Sequence, residues 1–539
     1  MRNVHKALTF LGLMAVGAAA QGVACANTVE DCTLTGELCA GQTPDATTSS
    51  GVGGSGGGAL CDQHPKDNAA AIADACGVFV KTGAGAGEGT MASPLGTLQA
   101  AVAKAAELQK KRVYACIGAF TEAVTVPAGI SLFGGLDCNK AWAATDQRST
   151  LKGTADKIPL TLMGDGESET RIEAWNIEAI DATTPGGSSI AAVAQGTAIV
   201  HFESSSLTAG RGMDGTDGMS ASSMPEPQPM KSNDGKHACA NTSMVGDAFM
   251  NPGGALNKNQ CTPENPEIPE KSIGGLGGDG YETFGLAGQP GQADPMPIDP
   301  KGAGGMPNLS NCAVGGDGGA GANGVEGQPG LAGNGKGTLT PDTGYVGASG
   351  GDGMKGMPGQ GGGGGGGQKG KEKTPTKMIA CAGASGGAGG AGGCGGLGGK
   401  GGQAGGSSIA LVSIDATIKM VGVKLKTSNG GSGGAGGSSQ PGAMGGLGGA
   451  GGSGMTIELV TMFAACKGGS GGNGGRGGPG GGGGGGHSIG VAYTGAAPTA
   501  DMPAFEIPVD GGGMGGTGGD GNAQNNFGAS GLSAQTLEF

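Results

Sequence analysis

The sequence predicts an all-β solenoid of short stacked coils, with an N-terminal capping helix and glycine-rich insertions. Glycine accounts for 129 of 539 residues, and it comes in bursts that each follow a short apolar, β-rich segment. The junction Gly-Gly-Ser-Ser-Ile-Ala occurs at 186–191 and again at 405–410. A return to one local pattern across a large gap is typical of a solenoid whose coils carry loops of unequal length.

The N-terminus is predicted to be an export signal, residues 1–25. Arg2 and Lys6 lie in a basic segment, and the apolar stretch 7–20 that follows is too short to span a bilayer. The sequence before Cys25 resembles a bacterial lipobox, which makes Cys25 the candidate lipid attachment site. Ordinary signal cleavage, within 18–20 or 24–26, remains the alternative. Residues 26–60 are rich in Ser, Thr and Gly and are predicted to form a flexible tether.

The cysteines indicate an oxidising compartment. The chain has 13 cysteines, so an even number remains once Cys25 is set aside. Cys32 with Cys39, and Cys61 with Cys76, are each close enough along the chain to close a small loop. The remaining cysteines in 300–466 have no readable pairing. The disulfide candidates are Cys32, Cys39, Cys61, Cys76, Cys116, Cys138, Cys239 and Cys261.

Two candidate pairs share one spacing. Cys116 and Cys138 are 22 residues apart, about one coil of a solenoid, so stacked coils place the two sulfurs side by side. Cys239 and Cys261 are also 22 residues apart, in an irregular segment, and are expected to form a local disulfide. Each pair therefore tests how the chain folds back on itself.

The first ordered region, 61–210, begins with two predicted helices and continues with strands. An Ala-rich helix is expected from Asn68 to Cys76. Ser93 is predicted to be the N-cap of a second, amphipathic helix, with Pro94 in its first turn. After Lys111, short runs alternate with period 2 and are divided by Gly, Pro and Asp, which is typical of strands.

The order of these elements resembles the start of pectin-lyase-like right-handed parallel β-helices. The carrying segments are the second helix, the Val-Tyr run at 113–114, and 120–135, which reads Phe-Thr-Glu-Ala-Val-Thr-Val-Pro-Ala-Gly-Ile-Ser-Leu-Phe-Gly-Gly. The resemblance covers roughly 90–210 and returns after 405. It implies a helix that covers the open strand edges of the first coil, and it does not by itself imply a function.

Three later units align with one another: 190–207, 409–425 and 489–507, each followed by a glycine burst. A shorter unit, 455–466, ends in the same way. We therefore predict that 407–539 holds later coils, and that every burst leaves the solenoid from the same corner.

The segment 211–406 is predicted to be a glycine-rich insertion, because it is far longer than an ordinary loop. Its glycines keep a period of three, as in 383–400 and 468–478. Three residues per turn is the repeat of the polyproline-II helix, and two bare faces per turn allow neighbouring helices to bond through their backbones. We expect packed polyglycine-II helices. A flexible coil is the alternative, and irregular proline placement argues against collagen.

The sequence points to no catalytic residue, metal or cofactor. Asp181 and Asp415 stand alone at strand edges and are interpreted as turn residues, and His64, His201, His237 and His487 are scattered. Gly-Gly-Asp-Gly recurs at 277–280, 315–318, 350–353 and 518–521, but it lacks the second aspartate of calcium-binding nonapeptides. The net charge of −13 and pI of about 4.9 argue against nucleic acid or an anionic membrane surface as a partner.

As a whole, the pattern resembles glycine-rich, PGRS-like surface lipoproteins of Gram-negative bacteria that carry a β-helix. The resemblance implies a non-enzymatic surface protein, structural or adhesive, that is lipid-anchored at the outer membrane or cell surface, or otherwise secreted. Its expected partner is a surface or matrix component such as a polysaccharide, with membrane contact only through the lipid and self-association left open. A polysaccharide-binding protein or a degenerate lyase or hydrolase is the alternative, and ice binding through a flat glycine face is a third.

Overall fold

The computed structural model describes residues 60–240, 244–245, 248–261, 270–297, 299–307, 312, 315–374, 379–521 and 526–539. They belong to one compact unit, Gly56–Phe539. The predicted signal peptide, Cys25, Cys32, Cys39 and nearly all of the predicted tether lie outside the described residues.

The chain is all-β in character, and most of its long strands lie in three parallel sheets. Sheet 1 contains, in spatial order, Gly77–Val80, Arg112–Cys116, Ser131–Asp137, Glu169–Glu173, Ile199–Glu203, Thr417–Val421 and Thr499–Asp501, with Ala143–Ala144 antiparallel to the third of these. Sheet 2 contains Ala119–Thr121, Ser149–Lys152, Trp175–Glu178, Ser206–Thr208, Lys424–Lys426 and Ala504–Glu506. Sheet 3 contains Val124–Val126, Leu160–Met163, Ser189–Gln195, Ser408–Ile414, Ser488–Thr494 and Ser533–Glu538.

The register of sheet 3 explains the repeated junction in the sequence. Ser189 lies beside Ser408, Ser408 beside Ser488, and Ser488 beside Ser533. Each return of the chain to this sheet therefore begins at the same position. The return at Ser533 is a further copy that the sequence pattern did not reveal, because its isoleucine is replaced by alanine.

The glycine bursts leave from one edge, as the unit lengths predict. They follow the strands Ser206–Thr208, Lys424–Lys426 and Ala504–Glu506, and these three strands are consecutive neighbours in sheet 2. The short unit 455–466 is different. It forms an antiparallel hairpin, Met455–Ile457 with Val460–Met462, that joins two glycine-rich segments and adds no strand to the three sheets.

Side chains from all three sheets meet in one hydrophobic cluster. Leu132 comes from sheet 1, Leu425 from sheet 2 and Leu411 from sheet 3, and all are at most 1% exposed. Sheet 3 is apolar on its other face as well, where Ile190, Ile409 and neighbours form a second cluster. Its strands therefore lack the polar–apolar alternation of a half-buried strand.

The α-helix α1 (Leu98–Glu107) packs on the strands Gly77–Val80, Arg112–Cys116 and Val124–Val126. Its N-cap is Thr97 rather than the expected Ser93, because Leu95 is engaged in a parallel bridge to Val80. The expected helix from Asn68 to Cys76 is reduced to one 3₁₀ turn, Ala69–Ala71, capped by the Asn68 side chain. For the second helix, the backbone partner in sheet 1 takes precedence over the local helix signal.

The glycine-rich segments form extended rods with no strand assignment. We use "rods" for 211–238, 274–279, 286–291, 302–306, 316–333, 348–368, 383–406, 430–453, 465–487, 511–519 and 526–531. The rod 383–406 illustrates their contacts. Gly389 N–H donates to Gly275, Gly390 N–H to Gly469, and Gly446 N–H to Ala391. Bonds of this kind recur at every third residue and link rods both parallel and antiparallel to one another.

Rod spacing leaves no room for a side chain at the bonded positions. A Cβ added to Gly364 would lie 1.8 Å from the carbonyl oxygen of Leu276, and one added to Gly389 would lie 1.9 Å from that of Gly362. Real Cβ atoms essentially never show such distances. The all-glycine runs 361–367 and 480–486 are buried throughout, whereas rods that read Gly-Gly-X expose many of their third residues. An all-glycine run thus marks a rod that is surrounded on every side.

The remaining strands are short and antiparallel. Beside the hairpin 455–462, they are Met244–Val245 with Ala248–Asn251 and Gly280–Tyr281; Lys258–Gln260 with Lys271–Ile273 and Gln292–Asp294; and Thr338–Thr340 with Gly344–Val346.

Candidate functional site

The junctions between rods and sheet 3 are held by a chain of hydrogen bonds from side chain to backbone. Ser188 Oγ accepts from Ser407 N (2.9 Å), and Ser407 Oγ accepts from His487 N (2.8 Å). His487 Nδ1 in turn accepts from Leu532 N at 2.9 Å. The side chain before each of these strands therefore fixes the backbone at the start of the next strand of sheet 3, which explains why this position recurs as Ser or His.

His487 is buried and must be neutral to fill this role. Its Nε2 lies 2.9 Å from the carbonyl oxygen of Lys336, so Nε2 carries the proton and Nδ1 is free to accept. Burial is the main cause that lowers the pKa of His487, and the charge of Lys336 acts in the same direction. Tyr345 and Phe539 contact the ring edge-on. The site is therefore a structural junction between rods and sheet 3 that contains one titratable side chain, His487.

Polar side chains on the outer rods bond the backbone of the next rod. Asp214 Oδ1 accepts from Ser432 N, Asp217 Oδ1 from Ala435 N and Asp234 Oδ1 from Ala450 N, each at 2.7 Å. Asp234 is also bonded to Lys231, which is the main cause that lowers its pKa. The outward side chains thus satisfy N–H groups that would otherwise point to solvent.

The four Gly-Gly-Asp-Gly aspartates do the same. Asp279 Oδ1 accepts from Gly253 N at 2.8 Å, and Asp352 Oδ1 from Gly401 N at 2.9 Å. Asp317 and Asp520 accept from the backbone of Lys467 and Ser439, each at 3.2 Å. Each carboxylate is therefore bonded to a neighbouring segment, which accounts for its place in the sequence without a metal.

The outer rods also expose large apolar side chains. Met219, Met230 and Leu447 are 77%, 81% and 62% exposed. Met219 and Met230 belong to the rod 211–238, which runs beside Leu447 on the rod 430–453: Ser232 N donates to Leu447 O. The shared edge of these two rods therefore presents apolar side chains to solvent.

A charged cluster lies on the outer face of sheet 1. Glu173 is 2% exposed and its two carboxylate oxygens contact His64 Nε2 (2.6 Å) and Lys66 Nζ (2.9 Å). On the next strand, Glu203 binds Arg171 at 2.8 Å. The donor atoms of His64, Glu173 and Glu203 lie within 4.8 Å of one another, close enough to share a cation. Lys66 and Arg171, however, already neutralise both carboxylates.

The side chains of strand 199–203 alternate between the core and the outer face of sheet 1. Val200 and Phe202 enter the core, while His201 lies on the outer face of sheet 1 beside Arg171 and Lys419 in register. Burial is the main cause that lowers its pKa. His201 Nε2 has no hydrogen-bond partner among the described residues. The ring is therefore neutral at physiological pH.

The two aspartates interpreted as turn residues serve the backbone. Asp181 Oδ1 accepts from Arg211 N at 2.6 Å, at the point where the first rod leaves sheet 2. Asp415 adopts φ +52 and its carboxylate accepts from the Thr494 hydroxyl at 3.2 Å.

Five disulfides are present among the described residues. Cys61 is bonded to Cys76, and Cys116 to Cys138, as the spacings predict. The expected Cys239–Cys261 bond is wrong. Cys239 bonds Cys381 and Cys261 bonds Cys394, because the rods bring distant segments together, and these pairs are 142 and 133 residues apart. Cys312 with Cys466 completes the set. Cys261–Cys394 and Cys312–Cys466 tie irregular segments to the rods, whereas Cys239–Cys381 joins two segments next to rod ends. All five fit an oxidising environment.

No known protein family, curated protein or solved structure matches this chain. In the described part of the chain, no helix combines the length and hydrophobicity that crossing a membrane requires.

The sequence missed the charged cluster and the hydrogen-bonded junctions. His64 and Glu173 are 109 residues apart, and only the pairing of strands brings them together. No signal nearby in the sequence marks Glu173, because it alternates with Glu169 and Arg171 along a short strand, as the side chains of a solvated face do. The repeated serines are evident in the sequence, but their hydrogen bonds to the next strand of sheet 3 depend on how the strands pair.

Proposed function

We propose that this chain is a non-enzymatic exported surface protein in which a right-handed parallel β-helix carries a slab of polyglycine-II rods as a structural or adhesive surface. The in-register parallel sheets with one shared core support the β-helix. The period-three bonding of the rods supports polyglycine II. A PGRS-like lipoprotein anchored through Cys25 remains the best parallel for this arrangement.

One observation carries the adhesive part of the proposal. The rod array has a rigid interior of bare backbone, yet its edge exposes Met219, Met230 and Leu447. Hydrogen bonds fix the backbone of the rods that carry these side chains, so little backbone freedom is lost when a partner covers them. A surface or matrix component, or a second copy of the chain, is the expected partner.

Adhesion of cells that display the full chain tests this function. The triple variant Met219→Ser, Met230→Ser and Leu447→Ser should lower retention on a hydrophobic or matrix-coated plate several-fold. Met502→Ser with Val509→Ser removes exposed apolar side chains near the end of the three sheets and serves as the matched control. Equal retention of the triple variant and the natural chain would reject the adhesive role.

Anchoring is tested separately. Incorporation of labelled palmitate into the natural chain, and its loss in Cys25→Ser, is expected for a lipoprotein. Labelling of both chains, or of neither, contradicts lipid attachment at Cys25. Protease accessibility on intact cells then distinguishes surface display from a periplasmic location.

A second candidate function is polysaccharide binding or residual polysaccharide cleavage. Glu173 and Glu203 form a carboxylate pair on one sheet face, the arrangement that glycoside hydrolysis requires. Turnover of polygalacturonate that Glu173→Gln and Glu203→Gln each abolish would favour it over the scaffold. The ion pairs with Lys66 and Arg171 make a structural role for both carboxylates the expected outcome.

A further inference from the structure

A cavity of about 600 Å³ opens beside sheet 3. Its walls are the strand edge around Thr161, the loop 183–188, the hairpin tip 342–347 and the rod 383–406. This volume lies within the range of small-molecule sites in proteins. The cavity includes Gly186–Ser188, the first copy of the repeated junction. It is distinct from the apolar rod edge and the charged cluster on sheet 1.

The floor of the cavity is apolar and fixed. Ile190 and Tyr345 are 2% and 6% exposed, and Ile158 is half-buried beside them. Gly344 has φ +75, and a Cβ there would lie 2.6 Å from Ile190 Cδ1, so the hairpin is seated directly on the sheet. Burial is the main cause that raises the pKa of Tyr345, which keeps its hydroxyl protonated.

The rim is polar and carries one net negative charge. Asp156, Lys157, Asp342, Thr184 and Gln403 are exposed around the opening, and Thr161 is half-buried below them. The Asp156 carboxylate accepts from the backbone and hydroxyl of Thr183. Among the described residues, neither the Lys157 ammonium nor the Asp342 carboxylate takes part in an ion pair. Two carboxylates and one ammonium disfavour an anionic ligand.

We propose that this cavity binds a small uncharged polyhydroxylated ligand of one or two sugar rings. A pyranose has an apolar face of C–H groups that suits the half-buried Ile158 on the floor. Its hydroxyls both donate and accept, so they suit a rim of ammonium, carboxylate, hydroxyl and amide groups. The assignment does not depend on the adhesive role of the rods.

Calorimetric titration of the purified full chain tests the site, with maltose, cellobiose and N-acetylglucosamine as neutral probes and galacturonate as a charged probe. At least one neutral probe should bind with one-site stoichiometry. Thr161→Phe fills the cavity from a strand position that tolerates an aromatic residue, and should weaken binding by about tenfold or more. Asp342→Ala should weaken it several-fold through the rim alone.

Thr125→Phe is the matched control. Thr125 is the in-register neighbour of Thr161 on the same sheet and does not line the cavity, so binding should be unchanged. Circular dichroism of both variants checks that they are folded, and Asp342→Ala tests the site if Thr161→Phe does not fold. Failure of every neutral probe to bind, tighter binding of galacturonate, or equal affinity of Thr161→Phe and Thr125→Phe would overturn the proposal.

Discussion

The stacked sheets and the rods solve the problem of burial in opposite ways. In the sheets, side chains such as Leu425 and Leu411 fill the space between backbones, and the apolar area removed from water stabilises the fold. In the rods, backbones such as 383–406 and 465–487 contact one another directly, and hydrogen bonds at every third residue satisfy the buried peptide groups. The sheets depend on side chains that fill the core, whereas the rods depend on positions that have no side chain.

The difference teaches where each region tolerates change. A side-chain core can relax around a lost methyl group, because its neighbours shift. A carbonyl oxygen 1.9 Å from a new Cβ has nowhere to go, because it belongs to a rod that is bonded on its other sides. The rods should therefore be the more brittle region, although they contain almost no hydrophobic side chains.

The largest effect is expected from one added methyl group in the rods. Gly389→Ala places a Cβ against the Gly362 carbonyl and should prevent the rod array from assembling, at a cost of about 4 kcal/mol or more. Gly85→Ala, where no atom lies within 4 Å, should be nearly neutral. Yield of folded protein and resistance to limited proteolysis measure both. If the Gly389→Ala protein resists proteolysis as well as the Gly85→Ala protein, the rods can move apart to accommodate a methyl group.

A smaller loss is expected in the sheets. Leu425 is fully buried, so Leu425→Ala should lower the free energy of unfolding by about 2–5 kcal/mol without changing the fold. Leu447, exposed on a rod, is the matched control, and its replacement by Ala should change stability by less than about 0.5 kcal/mol. Urea unfolding gives both values. Comparable losses from the two variants would contradict the division between the regions.

The disulfides sharpen the comparison locally. Removing Cys261–Cys394 by a double Ser substitution should cost about 2–4 kcal/mol and expose the segment 244–297 to protease while the sheets stay intact. Cys116–Cys138 lies within the sheet region, and its removal should leave that segment protected. Mass spectrometry of the fragments distinguishes the two. Identical cleavage patterns would mean that the regions unfold together.

The smallest effect concerns pH at the joint between the regions. Because burial lowers the pKa of His487, the unfolded chain binds its proton before the folded chain does as pH falls. The contribution is therefore complete above the ordinary histidine pKa and is lost as pH falls through that value toward the folded one. The urea midpoint should rise between pH 5 and 7.5, and less so in His487→Asn. An equal slope in the variant would assign the dependence to other groups.

The sequence was sufficient where one local signal decides the structure. The Gly-Gly-Ser-Ser-Ile junction revealed the returns to sheet 3, and a period of three revealed the regular spacing of the rods. It was not sufficient where stacking decides. Cys239 was assigned to its near neighbour Cys261, whereas the rods carry both to partners more than a hundred residues away.

The candidate site shows the same limit. Glu173 was counted as part of a strand, and nothing nearby in sequence indicates that His64 and Lys66 cover it. The cavity beside Tyr345 is formed by four segments from three parts of the chain. Composition and period predict which kind of element forms. Contacts between distant segments can be predicted only when the register of the paired strands is known.

The period-three bonding of the rods has a consequence for how such a chain can change length. Deleting or duplicating three residues in the run 480–486 shifts every later N–H donor of the rod by one period, so each donor meets an equivalent carbonyl acceptor on the neighbouring rod. The hydrogen bonds between the rods can therefore form again. An insertion or deletion of one or two residues rotates the rest of the rod about its axis, so its N–H donors no longer face their acceptors. Natural variants of this protein should therefore differ in these tracts by multiples of three residues. An alignment that allows gaps only of three residues should then match glycine tracts that an ordinary alignment leaves out of register.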